Sequence, residues 1–82
     1  MEERRRIQRH RTLKAGNIVF NRAAGINCRV RNFSPAGACL EVDSQRGIPD
    51  DFELLIEHDH FRQPCHVIWR MGDRLGVEFW AA

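Results

Sequence analysis

The sequence has 82 residues, of which 43% are hydrophobic and 29% charged, and its formal net charge is +2. That length suits one small domain with a thin core, and the composition is that of a folded chain rather than a disordered one. It contains no apolar run near the roughly 18 residues of a membrane span, and no apolar stretch behind its basic N-terminus as in a secretory signal.

Charge is concentrated in the first residues of the chain, where positions 4–11 read RRRIQRHR. Residues 1–14 carry six basic and two acidic side chains, a net of +4, whereas residues 15–82 carry a net of −2. Proteins that coat long nucleic acids usually spread basic residues over a whole face. The distribution therefore favours a compact anion bound near one end, with residues 1–14 as a flexible basic arm that orders on binding.

From Gly16 onward, apolar and polar residues alternate with a period near two, which is typical of strands. The six alternating segments are NIVFN (17–21), NCRVRNF (27–33), ACLEV (38–42), DFELLIE (51–57), PCHVIWR (64–70) and RLGVEFW (74–80). Turn signals separate them at 22–25, 34–37, 46–51, 57–60 and 71–73.

The pattern predicts an all-β fold, a six-stranded antiparallel barrel formed by residues 15–82, with no C-terminal helix after the sixth strand. Closure or near-closure would leave few unpaired strand edges in so small a sheet. Along the fifth segment, simple alternation places Trp69 in the core with Cys65 and Val67, and leaves Arg70 in solvent.

Arg5 and Arg9 are four positions apart, a spacing that puts them on one side of either a helix or an extended arm. A guanidinium can grip a phosphate or the O6/N7 edge of guanine with two hydrogen bonds, and it can stack on a base. A ligand with both phosphates and guanines would use all of these contacts. The alternative is a solvated basic tail that binds without specificity.

The phrase NFSPAG at 32–37 joins the second and third segments and has two readings. As structure, it is a well-formed hairpin turn, because Asn and Ser bond nearby backbone while Pro and Gly set the geometry. As a site, Asn32 and Ser34 would present polar groups to a guanine edge, and Gly37 would let the backbone approach closely.

Taken together, an RxxxR arm followed by [DN]xSxxG at the end of a strand resembles the PilZ domain family, bacterial receptors for cyclic di-GMP. The likeness extends through RTLKAGNIVFN, CRVRNFSPAGACLEV, PCHVIWR and LGVEFW, nearly the whole chain, and is greatest to short, stand-alone alphaproteobacterial members. It implies a PilZ-like split barrel and a cyclic di-GMP site formed by Arg5, Arg9, Asn32, Ser34 and Gly37.

The resemblance also implies details of the site. Arg4 is a further ligand candidate, because an arginine there favours two intercalated ligand molecules over one, and Arg6 adds electrostatic attraction. Asn32 stands where aspartate is commoner in the family, and a neutral amide accepts fewer hydrogen bonds than a carboxylate. The expected role is a cytoplasmic receptor, monomeric or weakly associating, that signals to a protein partner in motility, exopolysaccharide synthesis or attachment.

Other functions fit the residues less well. Three cysteines and four histidines show no CxxC or HxxxH spacing, so neither a structural zinc site nor a disulfide framework is expected. No nucleophile–base spacing or glycine-rich phosphate loop indicates an enzyme, and no cofactor is expected. Two alternatives stay open, a small barrel that binds single-stranded nucleic acid through Phe33, Phe61 and Trp80, and a PilZ-fold adaptor that binds no nucleotide.

Overall fold

The structure, a computed structural model, describes residues 10–21 and 25–80, with side chains described from Leu13 onward. Its six strands are β1 (His10–Val19), β2 (Ile26–Phe33), β3 (Gly37–Glu41), β4 (Asp51–Ile56), β5 (Phe61–Met71) and β6 (Arg74–Phe79). A 3-10 turn, Glu57–Asp59, links β4 to β5. It is the one helical element among residues 10–21 and 25–80. None of the described helical structure is long and apolar enough to cross a membrane.

The strands form a closed barrel in the order β1-β2-β3-β6-β5-β4, and every neighbouring pair is antiparallel. This confirms the six-stranded antiparallel barrel expected from the alternating segments. Strand β1 begins at His10, so His10, Arg11 and Lys14, which the sequence assigned to the basic arm, pair with β2. The division into an arm of 1–14 and a barrel of 15–82 stays a prediction.

The interior of the barrel is filled by apolar side chains that alternate inward along each strand. The buried residues are Ile18, Cys28, Val30, Leu40, Val42, Ile48, Phe52, Leu54, Ile56, Cys65, Val67, Leu75 and Val77. Phe33, Phe61 and Phe79 pack on one another at one barrel end, with ring centroids 5.1–5.8 Å apart. The core is therefore continuous from the loop residue Ile48 to this aromatic cluster.

Three β-bulges interrupt the strict alternation. The register shifts between Arg11 and Lys14 in β1, between Val30 and Asn32 in β2, and between Val67 and Trp69 in β5. A bulge adds one residue to one strand, so the side chains beyond it point to the opposite face from the one that alternation predicts. This change of side-chain direction matters most for Asn32 and Trp69.

Trp69 does not lie in the core, so the expectation from simple alternation is wrong. Its side chain is 43% exposed, although Cys65 and Val67, four and two positions earlier, are buried. The bulge at Ile68 makes Trp69 the partner of Gly76 on β6 and turns it to the outer wall. Arg70 forms an ion pair with Asp50 at 2.7 Å.

Candidate functional site

Four residues on neighbouring strands form one transverse row on the outer wall of the barrel, which we call the outer row. Asn32 of β2 is the Cα partner of Cys39 of β3, Cys39 is the partner of Gly76 of β6, and Gly76 is the partner of Trp69 of β5. Their neighbours in sequence, such as Leu40 beside Cys39 and Leu75 beside Gly76, are buried in the core. Because side chains alternate along a strand, the outer row faces out. With strands about 4.8 Å apart, it spans about 14 Å along the wall.

A concavity of about 270 Å³ lies over the outer row and extends to the turn between β2 and β3. Its lining includes Asn32, Ser34, Gly37, Cys39, Trp69 and Gly76. The structure thus brings together the three residues that the sequence selected from NFSPAG. It adds three that sequence reasoning did not select.

Ser34 closes the turn that joins β2 to β3. Its backbone N–H donates to the Gly37 carbonyl at 2.9 Å, and its Oγ accepts from the N–H groups of Ala36 and Gly37, each at 3.3 Å. The turn is fastened to β6 because the Phe79 N–H donates to the Ala36 carbonyl at 2.8 Å. The hairpin reading of this phrase therefore holds, and the turn carries Ser34 at the rim of the concavity.

Gly37 begins β3 at a point where the backbone of β6 passes very close. A Cβ at position 37 would overlap the carbonyl oxygen of Val77, the residue before Glu78, which is the partner of Gly37 across the β3–β6 pair. A backbone oxygen in a paired strand cannot move aside as a flexible side chain can. Glycine is needed here to let two strands approach, in addition to any approach by a ligand.

Asn32 presents its amide to the concavity from a half-buried position. Alternation from Cys28 and Val30 would have pointed this side chain inward, and the β2 bulge turns it outward. No hydrogen bond engages its side chain within the part of the chain that the structure describes. An amide in that setting can both donate and accept hydrogen bonds to a ligand.

Beside Asn32, the bulged residue Arg31 takes part in a small ionic cluster. Arg31 Nη1 donates to Glu41 Oε1 at 2.9 Å, and Arg29 Nη2 lies 3.3 Å from Glu41 Oε2. The hydrogen bond from Arg31, with further help from Arg29, lowers the pKa of Glu41 from its ordinary value. Asp43 Oδ1 also lies 3.8 Å from Arg29 Nη2, so two cations and two carboxylates meet on this part of the wall.

Cys39 differs from the other two cysteines because it is half-buried on the outer wall, whereas Cys28 and Cys65 point into the core. Burial raises the pKa of the Cys28 thiol to about 11 and that of Cys65 to about 12. Among the residues that the structure describes, no group of three His, Cys, Asp or Glu side chains could hold a metal ion. All three cysteines are free thiols.

A larger groove of about 760 Å³ lies near β4 and β5, bounded by Phe20, Pro64 and Trp80. It contains none of the motif residues. Its charged groups pair with one another or with a neighbour, since Glu53 lies 2.9 Å from Arg62, and Asp51 lies 2.8 Å from His66. The smaller concavity, where the polar amide of Asn32 is available, is the better candidate for a ligand site.

The arginines Arg4, Arg5, Arg6 and Arg9 lie outside the described residues, so their assignment to the ligand stays a prediction. The described chain begins at His10, whose backbone pairs with Phe33, next to the turn of Ser34 and Gly37. In sequence, the RxxxR segment ends at Arg9, immediately before this His10 position beside the concavity.

Sequence reasoning missed Cys39, Gly76 and Trp69. One signal for them was present, because a glycine inside the β6 pattern RLGVEFW indicates a bulge or a close approach nearby. No pattern within β5 identified Trp69 as outward-facing.

A family model described as PilZ domain matches residues 3–82 of the chain. No curated protein matches the sequence significantly. The family match covers the barrel, the turn at 34–37 and the RxxxR segment.

Proposed function

The chain belongs to the PilZ domain family, and on that premise we propose that it binds cyclic di-GMP over the outer row and signals to a protein partner. The observation that supports this most strongly is the concavity itself, which gathers Asn32, Ser34 and Gly37 beside an exposed indole. PilZ domains are binding domains, and the role proposed here involves no chemical step.

Each part of the site suits a part of the ligand. The Asn32 amide would bond the edge of one guanine, and the indole of Trp69 offers an aromatic face on which a base can stack. Between them, the small side chain of Cys39 leaves room for a flat ring beside the indole, which itself covers Gly76. The two phosphates would be held by Arg5 and Arg9, with Arg4 and Arg6 adding positive charge.

Binding of single-stranded nucleic acid is less well supported. It requires aromatic side chains exposed together on a strand face. Phe33 and Phe61 instead pack edge to face at 5.1 Å, as part of the aromatic cluster at the barrel end. Trp80 lies against His66, near the larger groove. The aromatics therefore do not form a platform along one strand face.

Isothermal titration with cyclic di-GMP tests the proposal and reports whether one or two molecules bind per chain. Arg9→Ala should weaken binding by about 2–5 kcal/mol, as for loss of a desolvated charge contact, without changing the thermal midpoint. Asn32→Ala should cost about 1 kcal/mol of binding, the usual value of one hydrogen bond. Arg46→Ala, at an exposed loop position away from the concavity, is the matched control and should bind normally.

Two results would count against this function. Wild-type protein that binds a single-stranded oligonucleotide but ignores cyclic di-GMP would favour the nucleic-acid alternative, and protein that binds neither would favour the adaptor. Equal loss of affinity in Arg9→Ala and Arg46→Ala would mean that the arginines act through general charge alone. If wild type binds cyclic di-GMP, ligand-saturated protein is the bait with which to seek the partner and an output in motility, exopolysaccharide synthesis or attachment.

A further inference from the structure

We propose that Gly76 is a positioning residue for the ligand site, one that holds the Trp69 indole against β6 before any nucleotide arrives. The proposal rests on the proposed function, because it concerns how the same concavity is prepared for a base. Gly76 has no side chain with which to contact a ligand, so its effect must pass through Trp69.

The first step is the direction of Trp69. Val67 pairs with Val77, and Trp69 pairs with Gly76, so β5 uses two steps where β6 uses one. The extra residue is Ile68, which is 55% exposed. This bulge moves the indole from the core side to the outer wall, where it could adopt many orientations unless something fixed it.

The second step is the contact that fixes the ring. A Cβ built on Gly76 would overlap the indole of Trp69 at Nε1, Cε2 and Cδ1. The ring therefore lies directly on the α-carbon of Gly76, and it covers that residue so completely that Gly76 is buried on an outer wall. Any side chain at position 76 would displace the ring.

The third step is what the fixed ring provides. The indole covers Gly76 beside Cys39 and is still 43% exposed, so its open side can face a ligand bound over the outer row. A side chain that is already ordered loses less conformational entropy on binding than one that must be immobilised. The glycine thus raises affinity by preparing the aromatic surface in advance.

A double-mutant cycle tests this route, using full-length wild type, Gly76→Ala, Trp69→Ala and the double variant with cyclic di-GMP. In the wild-type background, Gly76→Ala should weaken binding about tenfold, within the range of coupling seen for contacting residues. In the Trp69→Ala background the overlap no longer exists, so the added methyl group should change the affinity less than twofold. Equal losses in both backgrounds would overturn the proposal, because the glycine would then act on the strand rather than on the indole.

A second measurement needs no ligand. The chain has two tryptophans, so Trp80→Phe leaves Trp69 as the single emitter. Adding Gly76→Ala should shift its emission to the red and increase quenching by acrylamide, while the far-ultraviolet dichroism stays that of the barrel. Gly16→Ala is the matched control, since its Cβ would meet Val30 and Cys28 at 3.2 and 3.3 Å and not an indole. It should leave both Trp69 emission and nucleotide affinity unchanged.

The outcomes separate the two proposals. If the wild-type chain does not bind cyclic di-GMP, the proposed function fails, and a positioning role for a nucleotide fails with it, even if quenching shows that the ring moves. If the wild type binds and Gly76→Ala alters neither emission nor affinity, the positioning role alone is wrong.

Discussion

Strands β4 and β5 are neighbours in the barrel and have similar apolar patterns, yet their apolar side chains do not all point the same way. In β4, Phe52, Leu54 and Ile56 are all buried, and the residues between them face out. In β5 the same alternation buries Cys65 and Val67 and then stops, leaving Trp69 on the outer wall. Side-chain direction in a strand is therefore set by pairing with its neighbours as well as by its own pattern.

The difference matters because the second half of β5 borders the candidate ligand site. A regular β5 would place its largest aromatic residue inside a core that is already filled. A bulged β5 supplies that residue to the outer row, opposite a glycine that accommodates it. The inside of the barrel contributes stability, and the bulged wall contributes the features that a ligand could use.

The largest effect expected from this contrast is on stability. Leu54→Ala, in the fully buried part of β4, should lower the free energy of unfolding by about 2–5 kcal/mol, since it removes buried methyl groups and leaves a cavity. Trp69→Ala should lower it by about 1 kcal/mol or less, because the side chain is half exposed. Urea denaturation measures both, and a larger loss for Trp69→Ala would contradict the outward placement.

Thiol reactivity offers a second comparison of inside and outside. With pKa values raised to about 11 and 12, Cys28 and Cys65 carry at least about a hundredfold less thiolate than ordinary cysteines, and burial blocks access further. At pH 8, iodoacetamide should modify Cys39 in the folded protein. Cys28 and Cys65 should react only after denaturation. Bound cyclic di-GMP should slow the modification of Cys39. Similar rates at all three sites in folded protein would contradict the core assignment.

Two glycines on the outer wall sharpen the contrast further. Gly37→Ala should destabilise the barrel by about 1–3 kcal/mol, the range for overpacking, because its new Cβ meets the Val77 carbonyl. Gly76→Ala should cost less, since the indole it meets can swing into solvent. Matched urea titrations of the two variants test this order. Gly37→Ala protein as stable as wild type would mean that β3 and β6 can separate locally at little cost.

The smallest effect concerns acid stability on the β2–β3 wall. Because Arg31 and Arg29 lower the pKa of Glu41 below 4.5, this group adds stability that is fully present above that value and is lost as the pH falls through the lower, folded-state pKa. The stability advantage of wild type over Glu41→Gln should be greatest at neutral pH and shrink below about pH 4.5. A difference that stayed constant from pH 7 to pH 3 would show that the ion pairs contribute nothing.

Much of the fold was predictable from the sequence, and particular residues show why. Leu54 and Ile56 alternate with residues that are less buried, so their inward direction follows from a period of two. The turn at Ser34–Gly37 was also predictable, because its Ser, Pro and Gly have local preferences that need no partner strand. The PilZ resemblance came from motifs of the same local kind, and the family match confirms it.

The candidate site was only partly predictable. Asn32, Ser34 and Gly37 were identified by their motif, but the reason for Gly37 became visible only with the Val77 carbonyl beside it. Trp69 was assigned to the core, and Cys39 and Gly76 were not selected. These three residues are far apart in sequence and meet only through the register of β3, β5 and β6.

The sequence by itself determined the number of strands, the position of the turns and most of the core, with Trp69 as the exception, because alternation and turn chemistry are local properties of the chain. Only the tertiary structure decided which way Asn32 and Trp69 point. Each lies beyond a bulge, and a bulge exists only as a mismatch of register between two paired strands. The outer row is therefore a product of pairing across the closed barrel, which no single strand's sequence specifies.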